Sequence, residues 1–258
     1  MGRGLAVSQE ASTPAFARDV ALIVQVRLGS TRLPGKALLP LGGATMTDMV
    51  LARLALVPTF VHVLATDEAS AAALGPIASR HGFELLVGDP EDVLARYCLA
   101  IRRFHPRCVV RATGDNPLVA HEPAIRLLEL ADEEIRAGAR PADYLAFSGL
   151  PLGMGVELVS AAALLRAEGQ ARAPAEREHV CPYLYGHPEL FEVRRPPAPE
   201  AWSLPEGRVT VDTAEDYEAM LRLYGALYDG DPIPTAAVLR YIRDRARTGV
   251  TAPAGCPP

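Results

Sequence analysis

Tryptophan occurs once in this 258-residue chain, cysteine four times, and aromatic residues make up only 6%. The cysteines (Cys98, Cys108, Cys181 and Cys256) form no C-x-x-C pair and no metal-ligand spacing. That argues against a disulfide framework or a cysteine-ligated metal and leaves reduced thiols as the expectation. No apolar run approaches the roughly 20 residues of a bilayer span, so no transmembrane helix is expected. Positive charge is not in excess either. With 26 Lys and Arg against 31 Asp and Glu the net charge is −5, the wrong sign for broad nucleic-acid binding. Residues 1–18 contain Glu10 and lack a continuous apolar stretch, so they do not read as a signal peptide, and a cytoplasmic protein is expected.

What is present is ordinary for one soluble core: 49% hydrophobic and 22% charged residues. One stretch organises the rest. The mostly apolar run Val20 to Val26 reads as a buried strand, and it breaks into a loop, Arg27 to Lys36, holding two Gly, one Pro, two Arg and one Lys. Glycine lets backbone N–H groups approach an anion, and Arg27, Arg32 and Lys36 supply charge for phosphate oxygens. The alternative is a solvated basic turn. A P-loop fails on count: five residues separate Gly29 from Gly35, and Ala37 follows Lys36 where Ser or Thr should stand.

Downstream, strands and helices alternate. Helical spacing from Thr47 to Val57 is followed by a strand from Val61 to Ala65, a helix from Ser70 to His81 and a strand from Phe83 to Val87. Gly88-Asp89-Pro90-Glu91-Asp92 is a helix start, with Asp89 as the cap. Cys108 to Arg111 is β-rich and runs into Thr113-Gly114-Asp115-Asn116-Pro117; a carboxylate there suits Mg²⁺, although Asp before Pro is also a common turn. Helices are expected over Glu122 to Arg136, Ala161 to Glu168, Ala214 to Leu227 and Thr235 to Arg247, with Ala142 to Phe147 a strand. Glu176 and Val180 are four apart and share a helix face. Arg208 to Thr213 reads as a strand ending in Asp212, with Thr213 capping the next helix. Asp229-Gly230-Asp231, the one D-x-D, precedes Pro232 and reads as a turn, which weakens a glycosyltransferase reading. Residues 1–18 are expected to be a disordered leader, 19–247 one folded domain and 248–258 a flexible tail.

The stretch Q-V-R-L-G-S-T-R-L-P-G-K, from Gln25 to Lys36, resembles the signature loop of the cytidylyltransferases of the spore-coat polysaccharide type, related to the acylneuraminate and 3-deoxy-manno-octulosonate cytidylyltransferases. Only Val26 departs from that loop. Similar blocks follow at Gly88 to Tyr97, at Thr113-Gly114-Asp115, at Glu176 to Tyr183 and at Arg208 to Thr213. The block Pro151 to Glu157 keeps Gly153 and Glu157 but carries Leu152 and Gly155 where such proteins have acids.

The resemblance implies an α/β fold: three layers, α/β/α, around a mostly parallel sheet, the Rossmann-like fold of the nucleotide-diphospho-sugar transferases. It implies transfer of CMP from CTP to a small acceptor (a sugar acid, sugar phosphate or phosphonate-type compound) with release of pyrophosphate, and commonly a homodimer. Gln25, Val26, Arg27, Gly29, Ser30, Thr31, Arg32, Lys36, Thr66, Asp92, Arg96, Thr113 and Gly114 would bind the nucleotide. Arg27, Arg32 and Lys36 would also act with Asp115 in catalysis, with Ser30 and the backbone N–H groups near Gly29 assisting on phosphate. Asp115 and Asp212 would hold Mg²⁺, and Gly153, Glu157, Arg177 and His179 would meet the acceptor. Use of another nucleoside triphosphate stays open.

Overall fold

A computed structural model describes residues 13–30 and 32–247. The strands, in chain order, are β1 (Val20–Gln25), β2 (Pro40–Leu41), β3 (Ala44–Thr45), β4 (Val61–Thr66), β5 (Glu84–Val87), β6 (Cys108–Thr113), β7 (Tyr144–Leu145), β8 (Glu157–Ser160) and β9 (Val193–Arg194). The helices are α1 (Met46–Leu54), α2 (Glu68–Arg80), α3 (Val93–Phe104), α4 (His121–Arg136), α5 (Ala161–Gln170), α6 (Pro174–His179), α7 (Pro182–Gly186), α8 (Ala214–Leu227) and α9 (Thr235–Arg247).

Seven strands form one sheet in the order β5-β4-β1-β6-β8-β7-β9, with β8 alone antiparallel to its neighbours; β2 and β3 make a separate hairpin. β1 is central and buried on both faces, as its continuous apolar run requires. Val20, Leu22 and Val24 pack with α1, α2 and α4. Ala21 and Ile23 pack on the other face with α3, α5 and α7. These are the three expected layers. A third apolar cluster joins Met46 and Met49 to Val209, Val211, Met220, Leu223 and Leu239, so that α8 and α9 brace the end of the sheet beside the hairpin.

Asp48 anchors α1. It completes a capping box with Thr45 and takes hydrogen bonds from Arg80 (2.9 Å) and His81 (3.0 Å). Burial pushes its carboxyl up, but the bonds from the Thr45 side chain, Arg80, the Thr45 backbone and His81 together hold it well below the usual carboxylate range. A depressed folded-state value contributes stability that is present above the unfolded pKa of about 3.9 and is lost as pH falls through the folded value. Asp48→Asn is therefore expected to cost about 1–2 kcal/mol at pH 7, with the difference from wild type shrinking below about pH 4. Urea titrations at pH 7 and pH 3 check this.

Several sequence expectations are corrected. Residues 15–18 are not a disordered leader: Ala15–Asp19 form a 3₁₀ turn whose Phe16 and Ala17 are buried against the core. Residues 1–12 of the expected leader, and the tail, lie outside the described residues. Asp92 rather than Asp89 caps α3, accepting the Ala95 N–H at 2.9 Å, while Asp89 accepts from Glu91 and Asp92 (both 2.8 Å) in the preceding turn. Arg208 to Thr213 is no strand; its β pairing is one isolated bridge, Leu152 to Arg208. The Asp212 N–H is donated to the Asp216 carboxylate (2.9 Å) in the cap of α8, which withdraws it from ladder pairing. Glu176 and Val180 share no helix face, because α6 ends at His179 and Val180 has φ +73°. The Asp229-Gly230-Asp231 turn is present, with Gly230 at φ +117°.

Candidate active site

β1 delivers the basic loop at the carboxyl edge of the parallel strands, where open α/β sheets bind ligands. The Leu28 carbonyl organises this loop, accepting N–H bonds from Ser30 (2.8 Å) and Gly35 (3.4 Å), and the Leu28 N–H is tied to Ser70 Oγ on α2 at 3.0 Å. Ser30 Oγ accepts from the Leu33 N–H (3.3 Å), and Gly35 turns the chain at φ +67°, a conformation that favours glycine. The Ser30 N–H expected on phosphate is thus engaged inside the loop. Thr31 lies outside the described residues.

Lys36 is the hub. Its Nζ donates to Asp115 Oδ2 (3.1 Å), to Asp212 Oδ1 (3.2 Å) and to the Val211 carbonyl (2.8 Å), with only 9% of the side chain exposed. Asp115 is 47% exposed at the end of β6, whereas Asp212 is 15% exposed and also takes Arg32 (3.0 Å) and Arg208 (3.2 Å). Two carboxylates far apart in the chain therefore converge on one ammonium. Gly114 permits the approach of β6 to β1: a Cβ there would lie 2.1 Å from Val26 Cγ2. Gly153, at φ +98°, packs against the Thr210 backbone, and the Leu152 N–H bonds the Gly207 carbonyl (2.8 Å), which seats the segment leading to Asp212.

A cavity of about 380 Å³ opens beside the loop, lined by Gln25, Val26, Arg27, Gly29, Ser30, Arg32, Lys36, Thr113 and Asp115 of the expected set, with Arg96 and His179 from the helical side. Arg27 reaches the Pro90 carbonyl (3.2 Å) and Glu178 (3.4 Å) across its mouth. Arg96 is 2% exposed, with its Nε unpartnered, and Gln25 Oε1 is likewise buried without a partner; such orphaned groups are uncommon in cores and suit a ligand that completes them. Thr66 is fully buried at the end of β4 and does not line the cavity.

The other expected residues fall elsewhere. Asp92 and Arg177 form an ion pair (Nε to Oδ2, 2.6 Å) that ties α6 to the start of α3 in a neighbouring depression, so Arg177 is spent on a helix cap. Gly153 and Glu157 do not line the cavity. Leu152, 61% exposed, also stands apart from it. Glu178 and Arg111 do line it, and sequence reasoning passed over both. The signal for Arg111 was a charged residue inside an otherwise apolar strand, a position where charge survives only with a partner. That partner is Glu157, directly opposite in the β6–β8 register, at 2.5 Å. Burial works against the Arg111 charge, but the Glu157 carboxylate outweighs it and lifts the guanidinium above its usual pKa.

Val180 shapes the last wall. With φ +73° and ψ −58°, and the Cys181 N–H bonded to the His179 carbonyl (2.9 Å), it centres a γ-turn, rare for a β-branched residue. Full burial of its side chain holds it there and leaves Glu178 and His179 at the cavity.

Fold and site together define a nucleotide-binding α/β enzyme, with a basic loop, a crevice beside it and two carboxylates, one just past β6 and one just before α8, that converge on Lys36. A cytidylyltransferase family model matches residues 21–244, and the chain belongs to that family. The spore coat polysaccharide biosynthesis protein SpsF of Bacillus subtilis strain 168 is 36% identical over 214 residues, covering 80% of this chain and 86% of that protein. A cytidylyltransferase from Leptospira borgpetersenii superposes with TM-score 0.80 at 26% identity, covering 93% of this chain and 100% of the other. The CMP:2-keto-3-deoxy-manno-octonic acid synthetase complexed with CTP shares the fold at TM-score 0.60 and 16% identity, covering 81% and 99%.

Proposed function

We propose that this protein transfers CMP from CTP to an oxygen of a small acceptor, releasing pyrophosphate, with Mg²⁺ held by Asp115 and Asp212. The observation that carries the reading is the Lys36 ammonium bonded to both carboxylates at the edge of the loop-lined cavity. Two hard oxygen donors that already accept one cation suit an ion that completes its shell with water and phosphate. When bound, Mg²⁺ would reduce the negative charge on the α-phosphoryl group and orient the attacking oxygen.

The chain's own residues do the rest by positioning and charge. Lys36, Arg32 and Arg27 hold the phosphates by exchanging carboxylate partners for phosphate oxygens, and the departing pyrophosphate leaves on the same cations. Gln25 and Arg96 supply unpartnered polar atoms for the nucleoside. The Asp92–Arg177 pair positions α6, whose His179 lines the cavity. Membership of the cytidylyltransferase family supports CTP as the nucleotide. By the same resemblance we take the protein to be a cytoplasmic homodimer; light scattering on the purified protein reads the mass.

The deciding experiment titrates CTP, UTP, ATP and GTP with and without Mg²⁺ on wild type and Asp115→Ala. CTP is expected to bind at least tenfold more tightly than the others, and to lose that affinity without metal or without Asp115. Equal affinity for all four overturns the reading.

A further inference from the structure

Three cations of the cavity come from the β1 loop, Arg96 comes from α3, and Arg111 alone comes from the sheet. Arg96 lies over β4, where its Nη1 is 3.5 Å from the Ala65 carbonyl. Arg111 lies on β6, two strand spacings away, roughly 10 Å, on the other side of the loop that faces the phosphates. Arg96 and Arg111 thus stand over different strands, on opposite sides of that loop.

Arg111 is also held unusually firmly. Its Nη1 is paired with Glu157 Oε2 at 2.5 Å, and Glu157 Oε1 accepts the Tyr144 hydroxyl at 2.8 Å. Tyr144 lies in turn under the Arg195 guanidinium, 5.3 Å from its ring centroid, and edge-on to Tyr185. Rotamer freedom is thus removed from the strand side, and Arg111 remains one of the residues that line the cavity. Arginine carries five donors, Glu157 takes one edge, and the Arg111 Nε is buried without a protein partner. Burying a donor without a partner costs about 1–3 kcal/mol, a cost that an ion pair kept only to join β6 to β8 does not require.

We propose that Arg111, clamped from behind by Glu157 and Tyr144, binds a carboxylate or phosphate group of the acceptor. Glu157 is on this account a positioning residue that reaches the acceptor only through Arg111. The inference rests on the cytidylyltransferase reading, which supplies the nucleotide at the other end of the cavity.

Calorimetry tests it on the full chain saturated with Mg²⁺ and a non-hydrolysable α,β-methylene analogue of CTP. The acceptor probes are 3-deoxy-manno-octulosonate for a carboxylate, glucose 1-phosphate for a phosphate and glucose as a neutral control. Wild type is expected to prefer one acid probe over glucose, and which acid binds identifies the group. Arg111→Met is expected to weaken that probe at least 30-fold while changing the Kd of the CTP analogue less than twofold. Arg111→Lys, which keeps the charge and most of the volume should Met unfold the sheet, is expected to weaken it five- to tenfold. No preference of wild type for either acid, or undiminished acid binding in both variants, overturns the proposal. An equal loss of nucleotide and acid binding also overturns it, since Arg111 would then belong to the nucleotide end. Absence of nucleotide binding by wild type is a different result and removes the cytidylyltransferase reading itself.

Discussion

Lys36→Ala is expected to lower kcat/KM for pyrophosphate release about 10²–10³-fold, the loss that follows removal of one preorganised charge from a group-transfer site. The ammonium meets Asp115, Asp212 and the Val211 carbonyl at 2.8–3.2 Å, so it is held at the junction where nucleotide phosphates and metal would meet. The fold should survive, because the carboxylates are not left alone. Asp212 keeps Arg32 at 3.0 Å and Arg208 at 3.2 Å, and Asp115 is nearly half exposed to water. Steady-state pyrophosphate release beside a thermal melt separates the two effects. Turnover near wild type with an unchanged melting temperature would remove Lys36 from the mechanism.

Gly114→Ala is expected to damage stability and activity together. The added Cβ would lie 2.1 Å from Val26 Cγ2 and 3.0 Å from the Gln25 carbonyl oxygen, which is backbone and cannot swing away. Overpacking of this kind costs about 1–3 kcal/mol. Relief requires β6 to part from β1 at the point where Asp115 leaves the sheet. A displacement of about 1 Å there can cost a further 10²-fold in rate. Gly29→Ala is the control for folding, since nothing lies within 4 Å of a Cβ at that position. Melting temperatures of the two variants, and the turnover of Gly114→Ala against wild type, check both statements; a Gly114→Ala protein as stable as Gly29→Ala and as active as wild type would show that β1 and β6 have slack here.

Much of the architecture was legible because its causes are local. Helix α8 spans Ala214–Leu227 as expected, since Thr213 and Asp216 form a capping box four residues across. The apolar run of β1 announced a strand buried on both faces. Local signals also misled where two residues compete for one job. Asp89 and Asp92 both suit a helix cap, and only the backbone path shows that Asp92 holds α3 while Asp89 holds the turn before it. Arg208 to Asp212 has strand composition, yet the cap of α8 takes its last N–H and no neighbouring strand accepts the rest.

By itself the sequence determined the chemical inventory: a basic loop after a buried strand, a carboxylate after β6 and another before α8, and family blocks in their order. These depend on residue type and short spacing, which the chain carries directly. Tertiary structure alone decided who meets whom. It set Lys36 between Asp115 and Asp212, turned Arg177 onto Asp92, and laid Glu157 opposite Arg111. The last follows from strand register, in which a shift of one residue reverses every side chain, and the first two from how loops and helices pack around the sheet; spacing along the chain encodes neither choice.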